Sequence, residues 1–254
     1  MRLAGLVEYD GTEFVGWAAQ PDRRTVEGTL AEALETILRA PVKMSVAGRT
    51  DAGVHAGGQV VTFDADTDLT PDLVTYKTTA VLPKDVALRR CVEVPGSFDA
   101  RRDALSRSYE YRVVNAPVRS ALLWRRTMYV AKSLDYGLLQ KTAALIRGTH
   151  NFRAFTPSKT YHVRFERIVT ESCWEKKGEL LTYKITADSF LYGMVRSLVG
   201  TMLEVAQGKR TPAEFEQLLS GRARREAGPA VAARGLTLTN VEYELDLWGN
   251  REYG

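Results

Sequence analysis

The segment 47–56, Ala-Gly-Arg-Thr-Asp-Ala-Gly-Val-His-Ala, holds the densest set of side chains that could do chemistry. It combines the cation Arg49, the carboxylate Asp51 and the imidazole of His55. A carboxylate can act as a nucleophile or as a general base. The alternative is an ordinary hairpin loop in which Asp51 binds its own backbone. The segment is longer than a plain hairpin loop of about two to five residues, which favours a functional loop.

A second candidate is the strand-like run 107–114, in which aromatic side chains alternate with other residues. Its alternate positions share one strand face and are Arg107, Tyr109, Tyr111 and Val113. Aromatic residues on such a face usually belong to the core. Tyr109 beside Arg107 could instead stack on a nucleic-acid base, an interaction worth about 1–3 kcal/mol.

A third candidate is Arg196, which lies outside the apolar stripe of a helix predicted over 190–206. Gly193 and Gly200 flank it at three and four residues. A glycine inside a helix costs about 1 kcal/mol relative to alanine, so bare backbone around one arginine indicates that a loop or ligand approaches closely. The alternative is a solvated surface arginine.

Metal and disulfide chemistry have little support in the sequence. Cys91, Cys173 and the three histidines show no metal-ligand spacing, so we expect neither a metal site nor a disulfide framework. Membrane attachment is not expected either, because the chain has no apolar run of about 20 residues and no signal-peptide pattern. These features predict a cytoplasmic protein.

The basic residues are mostly arginine. Lys and Arg number 35 against 31 Asp and Glu, which gives a net charge of +4, and 25 of the 35 are Arg. Arginine binds phosphate through its planar fork and stacks on bases, so a polyanionic partner is one interpretation. A genome that favours arginine codons is the other. The arginines are spread along the chain, so the fold must assemble any basic surface.

The order of elements predicts an α+β fold made of two β-α-β-β-α-β halves, similar to ferredoxin-like and RRM-like units. The first half has strands over 3–9, 42–46, 59–63 and 86–94, with helices from Thr25 and Thr70. The second has strands over 107–114, 167–174, 180–187 and 238–247, with helices over 133–148 and 190–206. The predicted domains are 1–104, which carries the Asp51 loop, and 105–254.

Two further features belong to the second half. A capped helix is predicted from Thr211, and the segment 221–234 is a loop, mobile or laid on a partner. Two antiparallel sheets placed side by side around a basic cleft would present a long surface of the kind that RNA-binding modules use.

Motifs along nearly the whole chain resemble the tRNA pseudouridine synthases of the TruA class. The most specific is Gly-Arg-Thr-Asp-Ala-Gly-Val-His over 48–55, and the others are Tyr-Asp-Gly-Thr over 9–12, Gly-Trp over 16–17, Gly-Thr-His-Asn-Phe over 148–152, Met-Val-Arg over 194–196 and Gly-Leu over 235–236. The chain departs from the family pattern at Ala18, Asn151, Tyr192 with Gly193, and Ala232. None of these departures falls on Asp51, Tyr109 or Arg196.

The resemblance implies the isomerisation of uridine to pseudouridine at positions 38, 39 and 40 of the tRNA anticodon stem-loop, without metal or cofactor. It makes Asp51 the catalytic acid, and a covalent adduct and abstraction of a sugar proton both stay open. Arg196 would keep that carboxylate ionised, and Tyr109 would stack on the flipped uracil.

Other expectations from the resemblance concern binding. Arg49 would brace the vacated base stack, and His55 and Arg107 would be substrate-binding residues together with Tyr109. The family is expected to form a homodimer whose basic clefts hold tRNA. Two rival interpretations remain at this point: a non-catalytic protein of tandem RRM-like units, which the element order would fit equally well, and a hydrolase that uses Asp51.

Overall fold

The structure, a computed structural model, describes residues 1–160 and 162–249. Over these ranges the chain forms ten strands and five α-helices, and its strand pairs are mostly antiparallel. This is a mixed α+β fold, as predicted. The described chain falls into two compact units: Met1–Ser106 together with residues 238–249, and Arg107–Thr237.

None of the helices in the two described ranges is long and apolar enough to cross a membrane.

The first unit is an antiparallel sheet with two helices. The elements are β1 (Arg2–Tyr9), α1 (Val26–Leu38), β2 (Met44–Val46), β3 (His55–Asp64), α2 (Pro71–Val81), β4 (Val86–Val94) and β10 (Leu236–Tyr243). The strands lie in the order β4-β1-β3-β10, β2 pairs with β3, and helix α2 packs against β4.

Both helices of this unit begin at the residues that capping predicts. The Thr25 side chain accepts a hydrogen bond from the Gly28 N–H. Thr70 accepts one from the Leu73 N–H, and Pro71 is the first helical residue. The apolar stripe of α1 faces the core, where its buried residues are Val26, Leu30, Ala33, Leu34 and Leu38.

The second unit is an antiparallel sheet with three helices. The elements are β5 (Ala104–Asn115), β6 (Met128–Val130), α3 (Tyr136–Leu145), β7 (Gly148–Asn151), β8 (Glu166–Lys177), β9 (Leu180–Ala187), α4 (Met194–Ala206) and α5 (Pro212–Leu218). Four strands lie in the order β5-β9-β8-β7, and the short strand β6 runs parallel to β5. The three helices pack on one another, and α3 also packs on β8.

The helix predicted from residue 190 begins later, at Met194. Gly193 is its N-cap and has φ of 68°, a left-handed conformation that side-chain-bearing residues rarely adopt. The prediction that Gly193 is an interior helical glycine is therefore wrong. Gly200 does lie inside α4, as predicted.

Two short strands of the second unit were not predicted. β6 and β7 are only three and four residues long, too short for an alternating pattern to be recognised. The helix predicted to continue to Gly148 ends at Leu145, and Gly148, with φ of 105°, begins β7 instead.

The second unit begins at Arg107. The last strand, predicted over 238–247, is β10 and lies beside β3 in the first unit. Residues 250–254, the end of the predicted domain 105–254, lie outside the described residues.

The segment 221–234 lies on helix α4 of its own unit. It contains a short 3₁₀ turn at Arg224–Glu226, and another follows at Ala233–Gly235. The Gly228 N–H donates to the Thr201 hydroxyl at 3.0 Å. The segment thus covers part of the helix that carries Arg196.

Candidate active site

Asp51 lies in the loop between β2 and β3, and the backbone of residues 14–17 holds that loop. The Trp17 N–H donates to the Thr50 carbonyl at 3.0 Å, and the Gly53 N–H donates to the Phe14 carbonyl at 3.2 Å. Gly16 and Asp51 form an isolated antiparallel bridge. The loop is therefore fixed by main-chain hydrogen bonds on both sides of Asp51.

Two glycines allow this close backbone contact. A Cβ at Gly11 would overlap the carbonyl group of Val54. Gly16 has φ of 114°, and a Cβ there would lie 3.0 Å from the Thr50 carbonyl oxygen. Any larger residue at either position would push the Asp51 loop away, which explains why the Tyr-Asp-Gly-Thr and Gly-Trp motifs accompany that loop in the sequence.

A buried polar network supports the loop from within the first unit. The Tyr9 and Thr50 hydroxyls are 2.7 Å apart, and the Gln59 amide nitrogen lies 2.7 Å from the Gly48 carbonyl and 3.3 Å from the Tyr9 hydroxyl. Tyr9, Thr50 and Gln59 are 3%, 7% and 0% exposed. Burial raises the pKa of the Tyr9 hydroxyl to about 12, so it stays protonated.

Sequence reasoning missed this network. Gln59 is a signal that could have indicated it, because a long polar amide lies in β3 directly before the apolar pair Val60 and Val61. A buried amide needs partners. Its partners, however, are far away in sequence and could not be named from the pattern.

His55 is the first residue of β3 and is 3% exposed. The Gly11 N–H donates to its Nδ1 at 3.1 Å, and one carboxylate oxygen of Asp10 lies 3.2 Å from the same nitrogen. The imidazole is therefore held against residues 10 and 11 of the first unit.

The candidate side chains of this loop are more accessible to solvent than the side chains that support it. Arg49 is exposed and Asp51 is partly exposed, whereas Thr50 between them is buried. A carboxylate held in this way can meet a ligand while its backbone stays fixed. The first unit therefore brings together three of the predicted residues, Arg49, Asp51 and His55.

The other three predicted residues belong to the second unit. Tyr109 and Arg107 lie on β5, where the alternate positions are the more buried ones, as predicted for that face. Tyr109 is 9% exposed, and its ring makes an edge-to-face contact with Phe190, with centroids 4.9 Å apart. Arg107 donates to the Asp188 carbonyl at 2.9 Å.

Arg196, on α4, is bound to the segment 221–234. Its Nε donates to the Val231 carbonyl at 2.7 Å, and the Val231 N–H donates back to the Arg196 carbonyl at 3.2 Å. At Gly200, a Cβ would overlap the Pro229 carbonyl. The prediction that the bare backbone around Arg196 marks the close approach of a loop is confirmed at Gly200.

Tyr111 anchors the far end of the same segment, and sequence reasoning gave it no role beyond the shared face. Its hydroxyl donates to the Ala232 carbonyl at 2.8 Å, and its ring lies against Gly235, where a Cβ would be 2.6 Å away. Burial raises the pKa of this hydroxyl well above its usual range, which keeps it a hydrogen-bond donor.

In the part of the chain that the structure describes, no group of three or more His, Cys, Asp or Glu side chains is placed to hold a metal ion.

Comparisons with known proteins cover both units. The family model for tRNA pseudouridine synthase matches residues 6–101 and 142–244. The protein named tRNA pseudouridine synthase A from Acetivibrio thermocellus is 37% identical over 238 residues, which are 94% of this chain and 98% of that protein. The protein of the same name from Brevibacillus brevis is 38% identical over 242 residues, covering 95% and 99%.

A third protein of that name, from Shouchella clausii, is 35% identical over 254 residues, which are all of this chain and 97% of that protein. The match therefore extends across both units and includes the Asp51 loop, strand β5 and helix α4. Identity of more than a third along almost the entire length, together with the family model, shows that this chain belongs to the tRNA pseudouridine synthase family.

Proposed function

We propose that this protein converts uridine to pseudouridine in the anticodon stem-loop of tRNA, at positions 38, 39 and 40. As a pseudouridine synthase it is an isomerase. The observation that carries the site assignment is the presentation of Asp51: a partly exposed carboxylate on a loop whose backbone is bonded on both sides and supported by buried side chains.

The proposed reaction rearranges bonds within one nucleotide, so the protein has to position the uridine and supply a charged side chain beside the sugar. The N1–C1′ bond of uridine breaks, the uracil turns over, and a C5–C1′ bond forms. The hydrogen on C5 leaves as a proton and N1 takes up a proton, so the composition of the nucleotide is unchanged. An ionised carboxylate beside the sugar can assist this as a nucleophile or as a base, and we assign that role to Asp51.

The second unit would supply the remaining catalytic residues. We assign to Arg196 the charge that favours the ionised form of Asp51, because an opposite charge close to a carboxylate lowers its pKa. Tyr109 would stack on the flipped uracil and assist transfer of the C5 proton. The hydrogen bond between Arg196 and Val231 supports this assignment, because it holds the arginine side chain in one orientation.

The binding residues follow the same division. Exposed Arg49 would fill the space that the flipped base leaves, since base flipping costs a few kcal/mol. Arg107 would contact the substrate near Tyr109. His55 is too buried for a large contact with RNA, so we propose that it serves substrate binding by holding the Asp51 loop through Gly11.

At the scale of the chain, we propose two β-α-β-β-α-β domains, 1–104 and 105–254, whose antiparallel sheets lie side by side around a basic cleft. The proposal includes a homodimer that binds tRNA in the cytoplasm. The excess of arginine over lysine supports a phosphate-rich partner. The observed order β1-α1-β2-β3-α2-β4 supports the β-α-β-β-α-β pattern of the first domain.

The first test is Asp51→Asn, which keeps the shape of the side chain and removes its charge. We expect loss of at least about a thousandfold in turnover with tRNA affinity nearly unchanged, because the charge acts in the transition state. Release of tritium from tRNA that carries 5-tritiated uridine measures turnover, and filter binding measures affinity.

Asp68→Asn is the matched control, since it removes the same charge from an exposed position of the same unit. It should behave as the wild type. Turnover by Asp51→Asn above a tenth of the wild-type rate would remove Asp51 from the mechanism. Mapping the carbodiimide-reactive nucleotides in the product tests the assignment to positions 38, 39 and 40.

A further inference from the structure

The buried network beneath the Asp51 loop joins three elements of the first unit. Tyr9 ends β1, Gln59 lies within β3, and Gly48 and Thr50 belong to the loop. We propose that Tyr9 and Gln59 are positioning residues for catalysis: they hold the backbone on the N-terminal side of Asp51 so that its carboxylate meets the sugar in one orientation. This inference rests on the proposed role of Asp51.

The hydrogen bonds of Gln59 leave a single arrangement for its amide. Its nitrogen has two N–H groups, and these face two acceptors, the Gly48 carbonyl at 2.7 Å and the Tyr9 hydroxyl oxygen at 3.3 Å. Its oxygen accepts from the Val60 N–H at 3.3 Å. The reversed amide would set an oxygen against the Gly48 carbonyl, so the side chain has one favourable orientation.

Tyr9 connects the Gln59 side chain to Thr50, the residue next to Asp51. Its oxygen accepts from Gln59 at 3.3 Å, and its hydroxyl shares a hydrogen bond with the Thr50 hydroxyl at 2.7 Å, in which either group can donate. Burial raises the pKa of Tyr9 to about 12, so its hydroxyl keeps its proton throughout the physiological pH range. Residues 48 and 50 are thus both tied to the sheet by side chains.

The hydrogen-bond network of Tyr9, Thr50 and Gln59 is shielded from water. Its three side chains are at most 7% exposed, so water cannot replace a bond that a mutation removes. Main-chain bonds from Phe14 and Trp17 hold the loop as well. Loss of one network bond should therefore leave the loop folded but slightly displaced, and a displacement of that kind lowers the rate far more than it lowers affinity.

The test compares two buried tyrosines that lose the same atom. Tyr9→Phe removes the hydroxyl from the network. Tyr183→Phe removes a similarly buried hydroxyl from β9 in the second unit. The Tyr183 hydroxyl is hydrogen-bonded to that of Ser172 at 2.8 Å, and we assign Tyr183 no role in catalysis. Single-turnover rates of tritium release with saturating tRNA, tRNA affinity and thermal melting are measured for both variants and the wild type.

We expect Tyr9→Phe to lower the single-turnover rate by about tenfold to a hundredfold with affinity nearly unchanged. Tyr183→Phe should keep the rate within about twofold of the wild type, although it lowers the melting temperature about as much as Tyr9→Phe does. Equal rate losses in the two variants, or a Tyr9→Phe loss that lies wholly in affinity, would overturn the proposal.

Thr50 supplies a rescue experiment. Thr50→Val removes the hydroxyl and should match Tyr9→Phe, whereas Thr50→Ser restores it and should recover most of the rate. Tyr9→Phe combined with Gln59→Met should cost little more than the larger single change, because the residues act through one network. Additive losses would contradict a shared role.

The outcome is separable from that of the proposed function. If the wild-type protein releases no tritium, the proposed function fails. If the wild type is active and Asp51→Asn is inactive, but Tyr9→Phe behaves as Tyr183→Phe, only the positioning role fails.

Discussion

Asp51 and its neighbours differ sharply in exposure over a few residues. Asp51 and Arg49 reach solvent, while Thr50 is buried and its hydroxyl lies 2.7 Å from that of Tyr9. The alternation puts the Asp51 carboxylate on one side of the loop and the side chains that support the loop on the other. A carboxylate on a freely moving loop would have to be ordered in each turnover, and that cost is avoided here.

Buried tyrosine hydroxyls give the protein a measurable dependence on alkaline pH. Burial raises the pKa of Tyr9 from 10.0 to about 12, so the folded state keeps this proton at pH values where the unfolded chain loses it. The stabilisation is complete below about pH 10 and is lost as the pH rises towards 12, at about 1.4 kcal/mol per pH unit for each such tyrosine.

Urea unfolding at several pH values between about 9 and 12 measures this loss of stability. We expect Tyr9→Phe to be less stable than the wild type at neutral pH and to lose less stability over the alkaline range, since it has no proton to release. Parallel curves for the two proteins would contradict the assignment.

At the scale of elements, α4 and the segment 221–234 form a second arrangement in which glycine allows close contact. Gly200 faces the Pro229 carbonyl, and one turn earlier Arg196 exchanges two hydrogen bonds with Val231. The segment has little regular structure, but its backbone polar groups find partners on the helix. The position of Arg196 therefore depends on the segment as much as on α4.

Gly200→Ala tests this packing by the sign of its effect. A glycine-to-alanine change inside a helix usually stabilises by about 1 kcal/mol. Here the added Cβ would overlap a backbone carbonyl, so we expect a loss of about 1–3 kcal/mol together with reduced turnover. Urea unfolding and tritium release measure the two effects.

Gly57→Ala is the control for this change. No atom lies within 4 Å of the position that its Cβ would occupy. Its stability should stay within about 0.5 kcal/mol of the wild type. A stabilised Gly200→Ala variant would show that the segment does not press on α4.

At the scale of the whole molecule, charge is carried by arginines that are distributed along the chain rather than gathered in one tail. The modest net charge of +4 conceals a large number of groups able to bind phosphate. Both units contribute such residues, including Arg49 in the first and Arg107 in the second.

Binding of tRNA should therefore weaken steeply as salt concentration rises, because each phosphate contact releases counterions. The slope of log affinity against log salt is about −0.7 for each phosphate neutralised in a single strand and about −0.9 in a duplex. Filter binding of the Asp51→Asn variant at several salt concentrations measures this slope without turnover. A flat response would mean that the arginine excess reflects composition alone.

Local features were predictable because their causes lie within a few residues. The Thr211 cap of α5, with its Glu214 partner, is made by side chains three residues apart. The predicted strands at the start of the chain and over 180–187 follow from alternation, and the Asp51 loop follows from the gap between two such runs. The sequence by itself thus determined most elements, the α+β class, the candidate residues and, through its motifs, the family.

Long-range partners were decided only in the folded chain. Tyr9 and Gln59 are 50 residues apart, and Tyr111 meets Ala232 over 121 residues. A pattern along the chain records that a polar group is buried, but which distant group completes its hydrogen bonds depends on strand register and loop packing. The support beneath Asp51, the segment that holds Arg196 and the place of β10 beside β3 were therefore decided by tertiary structure, because buried polar groups must find partners wherever the fold brings them.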